Sequence, residues 1–307
     1  MAGVGGTNIF WGRVRHPSGS NFPTLRDAAL GTMLSTVLSS VPAWRAAMPA
    51  QRSLARRGVC TMAATSRTTF SAADFPAEWP YTAEDFSRLD EQADIQFYSA
   101  PRFVTHIDDG AIATLKQYYD EQLPEGADVL DICSSWISHL PPDKPLGRVV
   151  GVGMNARELD ANERLTEFVQ ADLNRQPVIE FPDASFDACL CVVSVDYLTQ
   201  PRQVLSEVHR VLRPGGRAIF SFSNRCFPSK AVKKWLQSDD AARQKIVASY
   251  FVFSPTGGWE DIGGEQLAEV KVAPPTTMEG FMGKFQAAVG KWAVNGDPMF
   301  VVTATKV

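Results

Sequence analysis

Residues 201–224 read PRQVLSEVHRVLRPGGRAIFSFSN. Val204, Leu205, Val208, Val211 and Leu212 recur at i, i+1, i+4, i+7 and i+8, the apolar stripe of an amphipathic helix. Arg213-Pro214-Gly215-Gly216 ends that stripe, and the run AIFSFS at 218–223 predicts a strand. Upstream, DACLCVVSV at 187–195 is apolar without a break, as in a central strand covered on both faces. Further out lie two more buried-strand runs, ADVLDIC at 127–133 and RVVGV at 148–152, and a short one, FVQA at 168–171. Helices are predicted over 110–122 from Ile112, Leu115, Tyr118 and Tyr119, over 157–166, and briefly over 135–140 before Pro141-Pro142. Downstream, 230–247 reads as helix and 249–253 as strand. A polar Gly- and Pro-containing stretch follows, then a last strand, MFVVTAT, at 299–305. Strands that alternate with helices in this way point to a parallel sheet with helices on its faces.

The 307 residues are 45% hydrophobic and 21% charged, which excludes a wholly disordered, collagenous or disulfide-scaffold chain. No run approaches the roughly 20 apolar residues of a membrane span. The net charge of -4 conceals an asymmetry. Residues 1–70 hold eight arginines, no lysine, one acid (Asp27) and fifteen Ser and Thr, against 22 basic and 33 acidic residues in the remainder. An Arg- and Ser-rich leader on an acidic body reads as a disordered organelle transit peptide over 1–62, with processing near the small residues after Arg56-Arg57. Its hydroxyl content favours the plastid stroma, with the mitochondrion as the alternative. An acidic body repels phosphate backbones, so no nucleic-acid partner is expected.

Residues 63–109 form an expected strap ahead of the main fold, carrying Phe75, Trp79, Tyr81, Phe86, Phe97 and Tyr98. The main domain is then 110–307, with an expected insertion at 271–295 whose Phe281, Phe285 and Trp292 pack on the body or touch a membrane surface peripherally. Cys133, Cys189, Cys191 and Cys226 show no CxxC spacing, so reduced structural thiols are expected and no metal site. After Gly151 and Gly153 the third glycine of a GxGxxG fingerprint is replaced by Ala156, and GxSxG and GxxxxGK[ST] motifs are absent. Nicotinamide, serine-hydrolase and phosphate-loop chemistry therefore lack their residues. The acid pairs Asp108-Asp109 and Asp239-Asp240 read as turns and caps.

The ordered pieces VLDIC, VVGVGMN, FVQADL, FPDASFDACLCVVSVDYL and EVHRVLRPGGRAIFSFSN resemble the motif series of class I S-adenosylmethionine-dependent methyltransferases, the small-molecule "type 11" branch in particular. The resemblance implies an α/β, Rossmann-like doubly wound fold, with a seven-stranded, mostly parallel sheet and one antiparallel strand near the C-terminus. It also implies S-adenosyl-L-methionine as cofactor and a small-molecule or lipid-like acceptor. In open sheets of this kind ligands sit outside the strand C-termini where strand order reverses.

Two departures stand out. The family's glycine-rich loop after the first strand is here Asp131-Ile132-Cys133-Ser134-Ser135-Trp136-Ile137, with Cys133, Ser135 and Ile137 at the glycine positions. Either Ser134 and Ser135 cap a helix and turn hydroxyls and amides to the cofactor, or the loop has lost close approach and the fold survives as a scaffold. Asp131 then contacts the cofactor through water or orders the loop. The acid expected after the second strand is Gly153, which leaves Asn155, or Glu158 reaching back, for the ribose. Asp172, followed by Leu173, matches the position that accepts from the adenine amine, and caps a turn in the alternative reading. Ser194 completes the expected cofactor set. Asp196 and Tyr197 fall where the methyl group meets the acceptor, or else serve as an N-cap and a packing aromatic. His106 is a candidate base or a structural hydrogen-bonder, while His139 and His209 read as structural. Asn224-Arg225-Cys226 line the acceptor pocket in this reading, and Trp259 walls it or belongs to the core. The competing function is a methyltransferase-like binding or assembly protein without turnover.

Overall fold

The computed structural model describes residues 67–272 and 296–307. The expected leader and nearly all of the expected insertion, with its Phe281, Phe285 and Trp292, lie outside the described residues. In chain order the elements are β1 (Thr68–Thr69), α1 (Asp94–Phe97), α2 (Asp109–Gln122), β2 (Val129–Ile132), β3 (Val149–Gly153), α3 (Ala156–Ala161), β4 (Glu167–Gln170), β5 (Phe186–Val192), α4 (Pro201–Val211), β6 (Leu212–Phe222), α5 (Lys233–Leu236), α6 (Asp240–Val252), β7 (Trp259–Gln266) and β8 (Phe300–Lys306).

The α4 stripe holds as read: Val204, Leu205, Val208 and Val211 are fully buried, and Pro201 opens the helix where its missing N–H is no loss. Gly215 takes a left-handed φ of 77°, and a Cβ on Gly216 would lie 2.8 Å from the Arg213 carbonyl. The chain can therefore turn straight into β6, which starts at Leu212 with an irregularity in its pairing to β5 between Phe186 and Ala188. Asp108 and Asp239 cap α2 and α6 by accepting from the amides of Ala111 and Ala242, each at 2.8 Å.

The strands run β1-β7-β8-β6-β5-β2-β3-β4 in one sheet. β4, β3, β2, β5 and β6 are mutually parallel, and β8 runs antiparallel to β6 and β7. This is an α/β, Rossmann-like fold. Among the described residues it has eight strands rather than the seven expected, because two residues of the strap, Thr68 and Thr69, add an antiparallel edge to β7. Alternate residues of the central strands feed opposite apolar layers: Leu130, Ile132, Cys189 and Cys191 join the α4 and α6 side, and Val129, Ala188, Leu190 and Val192 the α2 side.

The helix expected over 157–166 stops at Ala161, and the one expected over 230–247 divides into α5 and α6. Three other local expectations fail outright. Residues 135–140 form an irregular loop, since Leu140 precedes a proline and His139 is left-handed at φ 52°. Residues 249–253 are not a strand: Ser249 to Val252 complete α6, whose positions 246–251 are all buried. The short apolar run is that of a buried helix, which periodicity cannot separate from a strand. The stretch left as polar contains β7, whose Gly263 lies so close to Arg67 that a Cβ would come within 2.2 Å of Nε.

Candidate active site

Chain order reverses between β2 and β5, where β3 and β4 lie to one side and β6 to the other. A cavity of about 320 Å³ opens there, walled by the segments after β2, β3, β4, β5 and β6 and by the strap.

The loop after β2 is built on Asp131, whose Oδ2 accepts from the hydroxyls of Ser134 and Ser138, both at 2.6 Å. Full burial pushes this carboxyl up to about 6, against the pull of the two hydroxyls. Cys133 adopts φ 54° at a position the family fills with glycine, at a cost of about 1 kcal/mol or more. The close approach expected of loop glycines is supplied from the other side. A Cβ on Gly153, at the end of β3, would lie 2.1 Å from the Ser134 carbonyl oxygen, and the Ser134 amide donates to Val152 at 2.9 Å. Asn162 ends the helical stretch early and locks the loop, donating to Ser135 O and Ser138 Oγ. The N–H groups of Ser135 and Trp136 make no hydrogen bond among the described residues.

Asn155, expected at the ribose, is committed elsewhere. Its Oδ1 caps α3 through the amides of Arg157 and Glu158, and its Nδ2 donates to the strap carbonyls of Tyr98 and Ser99. The carboxylate at this place in the cavity is Glu158, which accepts from Ser135 Oγ (2.7 Å) and from the Arg102 amide (2.7 Å). After β4, Asp172 lines the cavity while its Oδ1 accepts from the amides of Asn174 and Arg175. Oδ2 accepts none among the described residues, so capping and ligand contact are compatible. Leu173 sits beside it. After β5, Val193 is left-handed at φ 42°, and Ser194 Oγ donates back to Val192 O.

Of the three candidate catalytic groups only His106 keeps an uncommitted titratable side chain on the wall. Burial lowers its pKa, opposed by Glu158, which leaves the imidazole neutral at pH 7. Tyr197 lines the cavity, but its oxygen accepts from the Phe227 amide at 2.8 Å, and burial raises its pKa well above the ordinary value. It holds the loop after β6 and is no base at neutral pH. Asp196 does not line the cavity. It lies buried in the turn Val195–Tyr197, Oδ2 has no partner among the described residues, and burial pushes the carboxyl up to about 8. Trp259 packs against His209 and Phe251 and does not line the cavity. Arg225 and Cys226 do line the cavity.

Sequence reading passed over Arg102, Trp136, Met154, Asn174 and Phe227, all on the wall. The strap brings Arg102, His106 and Ile107 across the opening, held by Trp136 Nε1 donating to Val104 O and by a buried ion cluster. In that cluster Asp94 meets Arg88, Lys230 and Asn174, and Lys230 also donates to the carbonyls of Asp90 and Gln92. No local pattern marks such residues, because their partners are distant in the chain.

Residues 133–220 match the family described as a methyltransferase domain. The chain is 39% identical over 84 residues to the ubiquinone/menaquinone biosynthesis C-methyltransferase UbiE of Hahella chejuensis (strain KCTC 2396), covering 24% of this chain and 32% of that protein. It is 35% identical over 99 residues to the UbiE of Bartonella quintana (strain Toulouse), covering 32% of each. The chain thus spans about a third of the length of these curated relatives. A chain of the complex between the Haloferax volcanii Trm112 methyltransferase activator and the putative methyltransferase aligns with a TM-score of 0.43 and 16% identity over 63% of this chain and 89% of that one. Among the described residues no helix is long and apolar enough to cross a membrane.

Proposed function

We infer that the protein is an S-adenosylmethionine-dependent methyltransferase acting on a small-molecule or lipid-like acceptor, in the plastid. The observation that carries this reading is the open cavity at the reversal of strand order, walled by the segments after β2, β3, β4 and β5. Backbone strain concentrates there: of the five non-glycine residues with positive φ among those described, Cys133, His139 and Val193 line it. The residues present fit the cofactor. The free amides of Ser135 and Trp136 suit its carboxylate, Glu158 its ribose, and Asp172 Oδ2 with Leu173 its adenine. The relatives named as C-methyltransferases support the reaction class, and the Arg-, Ser- and Thr-rich first 62 residues support the location.

When bound, the cofactor supplies a methyl group already activated by a sulfonium. The chain's task is then to place an acceptor in line with it and to keep water out. Tyr98, Tyr197 and Phe227 supply the apolar wall, and the strap closes it. Where the acceptor atom carries a proton, an imidazole nitrogen of His106 takes it, being neutral at pH 7.

Calorimetric titration with S-adenosylhomocysteine tests this. Binding should be micromolar, and Asp172→Ala should weaken it about tenfold, the loss of one hydrogen bond to a charged group. No heat at millimolar ligand would end the reading. The second reading, a binding protein without turnover, is favoured by the internal commitment of Asp131 and Asn155. It predicts no heat with S-adenosylhomocysteine at millimolar ligand and no methyl transfer to any extract fraction.

A further inference from the structure

We propose that the acceptor is an acid, carrying one carboxylate on an aromatic or apolar frame, and that Arg102 is the residue that selects it. The proposal rests on the methyltransferase reading and narrows its substrate class.

Arg102 belongs to the strap, and its backbone is pinned to Glu158 at the β3 side of the cavity. Its side chain reaches the other side. The guanidinium carbon stands 4.4 Å from the Phe97 ring centroid, 5.8 Å from that of Phe227 and 5.9 Å from that of Tyr98. His106 and Tyr197 pack on the same Phe227, at 5.3 and 6.1 Å. One nitrogen, Nη2, donates to the Phe97 carbonyl at 2.9 Å. The other, Nη1, is shut off from solvent and has no hydrogen-bond partner among the described residues.

No carboxylate among the described residues pairs with this guanidinium. The acids on the same wall are already engaged: Asp94 by Arg88 and Lys230, Asp131 by two serines, Glu158 by Ser135 and the Arg102 amide, and Asp172 by two turn amides. An unmade hydrogen bond on a permanent cation is costly, and Arg102 stands on the cavity wall, so on this proposal its side chain turns Nη1 toward an anion that enters the cavity.

The surroundings define that partner. Tyr98, Tyr197 and Phe227 line the cavity with flat apolar faces, which suit an aromatic or apolar body. An aromatic box of this kind ordinarily holds an ammonium, but here Arg102 already occupies its cationic place and repels one. One uncommitted guanidinium edge matches one negative charge, and a phosphate dianion would keep an uncompensated charge in an apolar enclosure. The cofactor's own carboxylate has the free amides of Ser135 and Trp136 in the loop after β2.

The test uses the full chain and two isosteric probes, 2-naphthoate and the neutral 2-naphthamide, titrated with and without saturating S-adenosylhomocysteine. Naphthoate should bind at least about tenfold more tightly than naphthamide, the value of one charge-assisted hydrogen bond. Arg102→Met should abolish that preference while leaving naphthamide and S-adenosylhomocysteine within about twofold, and Arg102→Lys should retain part of it. Equal binding of the two probes to the wild type, or no binding of either at millimolar concentration, overturns the proposal without any variant. A cofactor affinity that falls with Arg102→Met while the naphthoate preference persists also overturns it, by assigning the guanidinium to the cofactor. Failure of S-adenosylhomocysteine to bind the wild type defeats the methyltransferase reading alone, and the naphthoate comparison still decides this one.

Discussion

Gly153 carries the loop after β2. Glycines were expected in that loop, so that bare backbone meets the ligand; here the loop has side chains, and the bare position lies beneath it at the end of β3. Substitution Gly153→Ala drives a Cβ into the Ser134 carbonyl, a backbone atom with nowhere to retreat, since Ser134 is tied to Val152 and Asp131. The expected cost is about 1–3 kcal/mol of stability, by overpacking, with a loss of S-adenosylhomocysteine affinity larger than the loss of stability explains. Chemical denaturation and calorimetry on the same sample separate the two. Unchanged affinity would show that the loop reaches its binding geometry without resting on Gly153. The glycine was visible in the sequence, but its meaning was not: it reads as a missing ribose acid until the loop is seen lying on it.

Among elements, the strap departs most from what local patterns show. Its aromatics announced a packed segment, and Trp79 and Phe86 do stack at 6.0 Å while both reach Tyr250 of α6. What fixes its path across the cavity is the fully buried Lys230, whose ammonium meets Asp94, Asp90 and the carbonyl of Gln92. Replacing Lys230 with Met removes one of the two cations that face the buried Asp94 and leaves Arg88. The expected destabilisation is about 1.5–3 kcal/mol, concentrated in the strap. Hydrogen exchange should show faster exchange at the amides of Gln96 and Tyr98 with β2 and β5 unchanged. Uniform acceleration across the sheet would mean that the strap folds as one unit with the body. Helices α2 and α4, by contrast, were legible down to their caps and stripes, because the residues that specify them lie within a few turns of one another.

At the scale of the whole molecule, buried titratable groups set the response to pH. Asp196 and Asp131 are held up to about 8 and about 6 by burial, and His139 is held down to about 4 by the same cause. Between about pH 4 and 6.5 the effects oppose: the carboxyls make the native state bind more protons than the unfolded chain, and His139 makes it bind fewer. Above about pH 7.5 the histidines are neutral in both states and Asp196 remains. Its folded pKa lies above its unfolded one, so stability falls as pH rises from about 7.5 through about 8 and then levels off. Urea midpoints measured from about pH 7.5 to 9 should decline in the wild type and stay flat in Asp196→Asn. Equal slopes in both would show that another group carries the dependence.

The arrangement of parallel strands and covering helices, and the place of the cavity at their C-terminal tips, followed from the sequence by itself. Burial alternates every second residue in a strand and every three or four in a helix, and the turn at Arg213-Pro214-Gly215-Gly216 writes its geometry locally. Only the tertiary structure decided which polar groups remain available in the cavity. Asn155 is consumed by strap carbonyls 56 and 57 positions away, Glu158 is met by an amide 56 positions away, and Asp196 sinks below the wall. A hydrogen-bonding group is free or committed according to what the fold carries next to it, and that neighbour is absent from any local stretch of chain.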